Sequence, residues 1–397
     1  MKQNFVWVSH PICQKLRAAF AGAELRFVGG VVRDSLRGLP PKVAAGEDFD
    51  LAVDLLPDET VQALREAHIR AIPTGFDHGT ITAVIEGVLF EITSLRADVT
   101  TDGRHAQVAF GKDWTVDGLR RDFTINAIYL TMDGKLWDPT GGVEDIKAGR
   151  VRFIGDANAR LQEDYLRILR FYRFSAHFAT EVDGEGRAAC KRHAKALSQI
   201  ASERIAVELK KLSAAKSAPK IVSMMAEDGV LREVYEPSAN LSALKKLYEF
   251  ITPDFESFLV ALWPDDLKAL SSRLRLSRKS FSAMVAMKKA MVLKDNIDEK
   301  AAKEILYRFG QRVFRSALAL RAVEDEALAK YLPDLLALPE DWTAPDFPIN
   351  GARLEKAGLK PGPAMGRALR RAENLWIEQD YPLDEGCVQS IIAQVIT

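Results

Sequence analysis

The stretch EDFDLAVD, residues 47–54, has two aspartates on either side of a phenylalanine, followed by three apolar residues and a third aspartate. In a β-strand, alternate side chains share a face, so Asp48 and Asp50 point the same way while Phe49 points into the opposite layer. Two like charges on one face repel unless a cation lies between them, and paired carboxylates suit Mg²⁺ together with substrate phosphates. An exposed strand end with incidental acids is the alternative. Asp54 lies beyond the apolar run, and we treat it as structural.

Just upstream, FVGGVVRD (residues 27–34) has two glycines between a predicted strand and a predicted helix. Glycine lets backbone N–H groups approach an anion closely, and the N-terminus of a helix adds its dipole. Arg33, one turn into that helix, supplies a cation to the same anion. Gly29 and Gly30 alone also fit an ordinary tight turn, but so close to the aspartate pair they favour a phosphate-binding site.

A third acid, Glu91, lies in the predicted strand FEITSLR (residues 90–96). Alternation puts Glu91 on one face with Leu89 and Thr93, so it completes a carboxylate set if this strand lies beside residues 49–53. A solvent-facing glutamate on an edge strand fits the same pattern, and the sequence leaves both interpretations open.

Length and composition are those of a multidomain globular protein. The chain has 397 residues, of which 47% are hydrophobic and 28% charged, and it is too long for one ordinary core. Because it has no apolar run of transmembrane length and no signal-peptide pattern, we expect a cytoplasmic protein without membrane contact. Its three cysteines are far apart and predict neither a disulfide framework nor a zinc site.

Charge is unevenly distributed, although the formal net charge is zero. Residues 147–220 carry 16 Lys and Arg against 8 Asp and Glu. Such a segment attracts polyanions, of which a phosphate backbone is the commonest in a cell. A solvated helix surface with spare lysines explains the same charge equally well.

The pattern of predicted elements divides the chain into an α/β part and a helical part. TITAVIEG and VLFEITSLR, over residues 80–96, predict two strands around a Glu-Gly turn. After residue 156 the apolar spacing becomes three and four, which is typical of amphipathic helices. We predict an α/β head over residues 1–150 and helical segments over 151–225, 226–340 and 341–397.

Seven segments carry a family resemblance. They are VGGVVRD, EDFDLAV, FEITSLR, RRDFTINAIYL (120–130), DPTGGVEDI (138–146), EDYLRILRFYRF (163–174) and ERIAVEL (203–209). In this order they closely resemble the class II tRNA nucleotidyltransferase and bacterial poly(A) polymerase family of the polymerase β superfamily. The resemblance spans about residues 25–212 and implies a polymerase β-like head with a small mixed sheet, followed by an all-α neck, body and tail.

The resemblance also implies roles for individual residues. A nucleoside triphosphate would be held by Gly29, Gly30 and Arg33. Catalytic Mg²⁺ would be bound by Asp48 and Asp50, with Glu91 where the superfamily often has a third carboxylate. The nucleotide would be contacted by Arg121, with Asp122 and Asn126 shaping the ribose side of the pocket.

The incoming base would be read by four neck residues, Asp164, Arg167, Arg170 and Arg173. Their spacing of three predicts one slowly drifting face of a single helix. A carboxylate and a guanidinium held together offer an acceptor and donors to the Watson–Crick edge of cytosine or adenine, so no template is needed. A surface salt bridge between Asp164 and Arg167 is the alternative. Glu203 and Glu208 of ERIAVEL are expected to brace this helix by pairing with arginines.

CCA addition to tRNA and poly(A) synthesis share these motifs. Segment 97–119, with Asp98, Asp102, Gly103 and Arg104, resembles the flexible loop that CCA-adding enzymes need to switch from C to A. The resemblance therefore favours stepwise addition of CCA to tRNA from CTP and ATP. A poly(A) polymerase or A-only enzyme, and a catalytically silent RNA-binding protein, are the alternatives.

A second basic region lies in the predicted body. Residues 268–294 hold eight Lys or Arg and no acid, so they predict a contact with the tRNA backbone. Arg273, Arg275 and Lys279 are its candidate RNA-binding residues. A basic, solvated helix is the equally simple alternative.

Overall fold

The computed structural model describes residues 2–100 and 107–396. The chain forms two compact units, Met1–Ala239 with Arg273–Arg275, and Asn240–Ser272 with Leu276–Thr397. Asp102, Gly103 and Arg104 of the predicted flexible loop lie outside the described residues. The division into four segments stays a prediction. In the described ranges, no helix is both long and apolar enough to span a membrane.

The first unit is built on a mixed sheet, as predicted. Its strands are β1 (Leu25–Val28), β2 (Asp48–Val53), β3 (Arg70–Gly75), β4 (Thr80–Ile85), β5 (Val88–Ser94), β6 (Arg96–Thr100), β7 (Gln107–Phe110), β8 (Tyr129–Thr131) and β9 (Leu136–Trp137). Seven of them form one sheet in the order β3-β4-β5-β2-β1-β8-β9, and β6 pairs with β7 separately. Strands β2 and β5 are parallel, and the other neighbours in the sheet are antiparallel.

One face of this sheet is a hydrophobic core, and Phe49 lies in it. Its ring stacks on Phe90 with 5.2 Å between centroids and meets Phe27 edge-on at 6.0 Å. All three side chains are almost completely buried. Burying a side chain of this size stabilises the fold by roughly 2–3 kcal/mol, so Phe49 fixes which face of β2 points inward. The two aspartates beside it must then point to the other face.

The predicted hairpin of β4 and β5 is present. Glu86 and Gly87 form its turn with φ angles of 53° and 80°. Both values are positive, as a tight two-residue hairpin turn requires. The turn sets the register in which Ile85 opposes Val88 and Thr82 opposes Glu91.

Helices fill the rest of the first unit. They are α1 (Pro11–Ala19), α2 (Gly30–Leu36), α3 (Pro57–Glu66), α4 (Trp114–Leu119), α5 (Gly142–Lys147), α6 (Ala157–Glu163), α7 (Leu166–Phe178), α8 (Gly184–His193), α9 (Ser202–Ser213), α10 (Ala218–Glu227) and α11 (Val230–Val234). Short 3₁₀ segments occur at Lys2–Ser9, Phe76–His78, Thr124–Asn126 and Ala194–Gln199. Helices α1 and α3 pack on the core face of the sheet through Leu16 and Leu64.

The second unit is helical in its described residues. Its helices are α12 (Leu241–Phe250), α13 (Phe255–Leu262), α14 (Leu267–Arg273), α15 (Arg278–Met291), α16 (Glu299–Glu324), α17 (Glu326–Asp341), α18 (Gly351–Lys356), α19 (Pro363–Glu378) and α20 (Glu385–Ile396). Gly310, at φ 74°, interrupts α16. Trp376 of α19 is fully buried, and Tyr307 of α16 donates a hydrogen bond to Glu373 at 2.7 Å. The last helices are therefore anchored to α16.

Candidate active site

Three carboxylates share the open face of the sheet. Asp48 and Asp50 are exposed on β2, and Asp50 lies directly opposite Glu91 on the parallel neighbour β5. The expected carboxylate set is therefore assembled in register. Among the described residues, no group of three or more His, Cys, Asp or Glu side chains closes around a metal position. Two exposed aspartates on one face suit an ion whose other ligands come from a substrate.

The electrostatics of these groups reflect their crowding. Desolvation by surrounding protein atoms raises the pKa of Asp50, and the charge of Asp48 raises it further. Arg121 and Arg33 act in the opposite direction on the pKa of Asp50. Desolvation, then the charges of Asp50 and Asp48, also raise the pKa of Glu91. The site therefore concentrates negative charge that a cation would relieve.

The glycine turn lies close to the Asp50 carboxylate. Gly29 has a φ of 75°, a conformation that favours glycine, and a Cβ built there would lie 3.3 Å from Oδ2 of Asp50. Gly29 is also the N-cap residue of α2, so the free N–H groups of that helix begin beside the aspartates. Gly29 thus lies beside Asp50 at the start of α2, and binding of an anion there stays a prediction.

Arg33 points inward from α2 and is only 8% exposed. Its Nη1 donates to Oδ1 of Asn126 at 2.7 Å, and its Nε donates to Asp34 at 3.0 Å. The guanidinium is therefore held by the protein on two sides. Its charge lowers the pKa of Asp50, against the effect of desolvation.

Arg121 is held by two residues that the sequence reasoning missed. Its Nε donates to the Tyr129 hydroxyl at 2.9 Å, and its Nη2 donates to Asp117 at 3.1 Å. Tyr129 itself donates to Asp117 at 2.6 Å. Desolvation acts to raise the pKa of Asp117, but Arg121, Arg120 and Tyr129 hold it below its usual range. The four-residue spacing of Asp117 and Arg121 could have predicted their ion pair from the sequence.

The start of α4 is fixed to the sheet by a cation–π stack. The guanidinium of Arg26 on β1 lies 3.9 Å from the ring centroid of Trp114 and 4.9 Å from that of Trp137. Trp114 also meets Tyr129 edge-on at 5.7 Å. These contacts hold α4, and with it Asp117, against the open face.

Asp122 and Asn126 form a buried polar chain. Asp122 accepts from Asn126 Nδ2 at 3.1 Å and from Arg170 Nε at 2.7 Å. Because Asn126 also accepts from Arg33, four side chains connect α2 to α7. Desolvation acts to raise the pKa of Asp122, whereas Arg170 and Asn126 lower it, and the net result is below the usual range. Their predicted contact with a ribose stays a prediction.

The prediction that one continuous neck helix carries all four residues is wrong at Asp164. We expected one helix carrying all four base-reading residues, but α6 ends at Glu163 and α7 begins at Leu166. Asp164 is extended, at φ −156° and ψ 106°, and its Oδ1 accepts from the Leu166 amide at 3.0 Å. A short carboxylate that binds the backbone two residues on competes with a continuous helix. Asp164 therefore precedes the face that it was expected to share.

The four residues also have different partners. Asp164 accepts from Arg204 of α9 at 2.7 Å, whereas Arg167 pairs with Glu163 and donates to the Arg160 carbonyl at 2.8 Å. Asp164 and Arg167 thus make no salt bridge with each other, so neither the predicted pairing nor its surface alternative is seen.

The other two neck arginines are engaged inside the first unit. Arg173 pairs with Glu208 at 2.6 Å and lies 3.9 Å from the ring centroid of Phe174, while Arg170 pairs with Asp122. Glu208 therefore braces α7 as expected. Glu203 pairs instead with Arg275.

Comparison with known proteins identifies the family. The model of the poly A polymerase head domain matches residues 25–152, and that of the probable RNA and SrmB-binding site of polymerase A matches residues 181–240. The mitochondrial CCA tRNA nucleotidyltransferase 1 of Mus musculus is 35% identical over 93% of this chain and 86% of its own length. The chain belongs to the class II tRNA nucleotidyltransferase family.

Two bacterial relatives support the same assignment. A CCA-adding enzyme of Latilactobacillus sakei is 31% identical over 94% of both chains. The crystal structure of the Bacillus stearothermophilus CCA-adding enzyme in complex with CTP superposes with a TM-score of 0.76, at 25% identity and covering 99% of this chain and 98% of that one. The polymerase β-like head and the helical remainder of this nucleotidyltransferase are thus those of its family.

The candidate RNA-binding residues of this nucleotidyltransferase differ in accessibility. Arg273 donates to the Ser202 hydroxyl at 3.0 Å and to the Glu233 carbonyl at 2.9 Å. Arg275 pairs with Glu203 at the surface, and Lys279 is exposed. Arg273 therefore has a structural role that the charge pattern did not show. Contact of any of the three with tRNA stays a prediction.

Proposed function

We propose that this nucleotidyltransferase adds CCA, one nucleotide at a time, to the 3′ end of tRNA from CTP and ATP. Each step is an attack of the terminal 3′-hydroxyl on the α-phosphate, with release of pyrophosphate. The observation that carries the proposal is the close approach of the Gly29 turn to the Asp50 carboxylate, in a chain that matches CCA-adding enzymes over nearly its whole length. The named relatives do not favour poly(A) synthesis.

We further propose that Asp48 and Asp50 hold Mg²⁺. The raised pKa values of Asp50 and Glu91 support this fit, because they arise partly from unrelieved repulsion among carboxylates. Nucleotidyltransferases of this superfamily generally depend on a divalent metal. When bound, Mg²⁺ would lower the pKa of the attacking hydroxyl and stabilise the charge on the pyrophosphate.

The protein's own groups place the triphosphate. The N–H groups at Gly29 and Gly30 and the start of α2 offer donors to the phosphates. Arg33 and Arg121 are fixed cations, held by Asn126 and by the Asp117 and Tyr129 pair, so they need no reorganisation during the reaction. Binding to these groups leaves the α-phosphate above the carboxylates.

Base selection is proposed to rest on Asp164 and Arg167. Cytosine and adenine both present an exocyclic amino donor beside a ring-nitrogen acceptor, whereas uracil and guanine present a carbonyl beside an N–H. An ionised carboxylate only accepts and a guanidinium only donates, so Asp164 and Arg167, each facing one group of the base edge, would match C and A and reject U and G. Arg204 and the Leu166 amide hold the Asp164 carboxylate in place for this role.

Asp164→Asn is expected to relax base selection. The amide adds donors that can face the carbonyl of uracil, so discrimination of CTP over UTP should fall by roughly 10- to 100-fold, given about 1–3 kcal/mol for each base-edge contact. The measurement is kcat/KM for each nucleotide on tRNA that lacks its CCA end. Asp156→Asn, which keeps an N-cap residue at α6, is the matched control. Unchanged discrimination in Asp164→Asn would contradict the assignment.

The substrate class can be tested with three RNAs. We expect incorporation of labelled CTP and then ATP on tRNA that lacks its CCA end, and of ATP alone on tRNA ending in CC. An unrelated RNA should remain unextended, and chelation of divalent ions should stop incorporation without unfolding the protein. Long A tracts on the unrelated RNA would contradict the proposal. We also propose a cytoplasmic location, although the animal relative is named as mitochondrial.

A further inference from the structure

The open face of the sheet continues past the carboxylates towards its β3 edge. Asp48 on β2 lies in register with Leu89 on β5, Leu89 with Val84 on β4, and Val84 with Arg70 on β3. Paired residues in a sheet point to the same side, so these four side chains form one row across the catalytic face. We call Arg70, Val84 and Leu89 the β3-side row.

The β3-side row is accessible although two of its residues are apolar. Leu89 is 37% exposed and Val84 is partly exposed, whereas their neighbours Phe90 and Ile85 are buried in the core. Arg70 is exposed and makes no ion pair within the part of the chain that the structure describes. An apolar ledge next to two carboxylates, with a cation beyond it that has no ion-pair partner among the described residues, is not explained by the stability of the fold.

The direction of the reaction indicates which part of the substrate lies on the β3-side row. The Gly29 turn directly follows β1, and Arg121 is bonded to Tyr129 on β8, the other neighbour of β1, so the proposed phosphate-binding groups lie on the β1 side of β2 and the pyrophosphate leaves on that side. In phosphoryl transfer the attacking and leaving oxygens are roughly in line. Because β5 lies on the other side of β2, the attacking hydroxyl must arrive over β5.

We infer that the β3-side row binds the 3′-terminal nucleotides of the RNA primer, an inference that rests on the proposed function. The ledge of Leu89 and Val84 supports the apolar faces of the terminal sugar and base, which places the 3′-hydroxyl beside Asp48. Arg70 lies about 14 Å from Asp48, at three strand spacings of roughly 4.8 Å, and contacts a phosphate further up the primer. Glu91, between the proposed triphosphate site and the β3-side row, is left to face the 3′-hydroxyl.

Two substitutions in the β3-side row are expected to weaken binding of the primer and not of the nucleotide. Leu89→Ser should raise the KM for tRNA ending in CC by about tenfold, within the range that lost apolar contacts produce, and leave the KM for ATP unchanged. Arg70→Gln should raise the same primer KM and lower the slope of log KM against log salt by about 0.7, the value for one lost phosphate contact on a single strand.

Matched controls separate this inference from a general loss of structure. Arg65→Gln removes an exposed arginine from α3 on the core side of the sheet, so it should behave as the wild type. Leu89→Met keeps the apolar ledge, so its primer KM should rise less than that of Leu89→Ser. An unchanged primer KM in both Leu89→Ser and Arg70→Gln, or an equal rise in the KM for ATP, would overturn the inference. A wild-type protein that extends no RNA in the same assay would instead contradict the proposed function.

Discussion

Asp50→Ala is expected to lower kcat for nucleotide addition by at least about a thousandfold, and Asp48→Ala by a similar factor. Each substitution removes one of the two proposed metal ligands and leaves the α-phosphate without its charge stabilisation, which in comparable sites costs several kcal/mol. Binding of tRNA should be nearly unchanged, because both side chains lie on the face of β2 opposite the Phe49 core, so their removal leaves that core intact. Single-turnover incorporation and tRNA binding by filter retention measure the two effects separately.

Asp54→Ala is the matched control, because Asp54 belongs to the same stretch of sequence. Its Oδ1 accepts from the Glu24 amide at 2.8 Å, where β1 and β2 are joined in register. We expect a small loss of stability and a kcat close to that of the wild type. Near-normal turnover in Asp48→Ala or Asp50→Ala would show that the metal assignment is wrong.

Asp122→Ala is expected to destabilise the first unit by about 3–5 kcal/mol, the cost of removing one partner from a buried ion pair. Arg170 would lose its carboxylate and Asn126 would lose the acceptor of its amide. Arg33, held by Asn126, would then lose part of its orientation. Urea unfolding monitored by tryptophan fluorescence measures the change. Asp133→Ala, at an exposed position, is the control.

The pH dependence of that loss is also predicted. The folded pKa of Asp122 lies below its ordinary value of 3.8, so its contribution to stability is fully present above that value and is lost as pH falls through the folded pKa. The difference in free energy of unfolding between wild type and Asp122→Ala should therefore be constant from neutral pH down to about pH 5 and shrink below 3.8. A difference under about 1 kcal/mol at neutral pH would contradict the structural role of the buried chain.

The sheet face that carries the carboxylates was predictable because it depends on a strong, local pattern. Phe49 and Phe90 alternate with acids over short runs, and the Glu86–Gly87 turn fixes the register of β5. Strand β3 contains Pro73 and β9 has only two residues, so neither gives a periodic signal. Their places in the sheet come from tertiary pairing.

The helix break at Asp164 shows where periodicity fails. Apolar residues continue at helical spacing from Leu161 through Ile168, and that spacing predicts one helix. At the break, the Leu166 amide donates to the Asp164 side chain, and such a bond competes with a continuous helix. The pairing of Asp164 with Arg204, 40 residues away, depends on the packing of α7 against α9 and has no signature in the local sequence.

The proposed active site is expected to add C, C and then A without a template. The most direct measurement supplies all four nucleoside triphosphates to tRNA lacking its CCA end and sequences the 3′ ends of the products. We expect wild type to yield ends that stop at CCA, and Asp50→Ala to yield unextended ends. Ends extended by other nucleotides, by A alone, or beyond CCA would contradict this expectation, as would CCA ends made by Asp50→Ala.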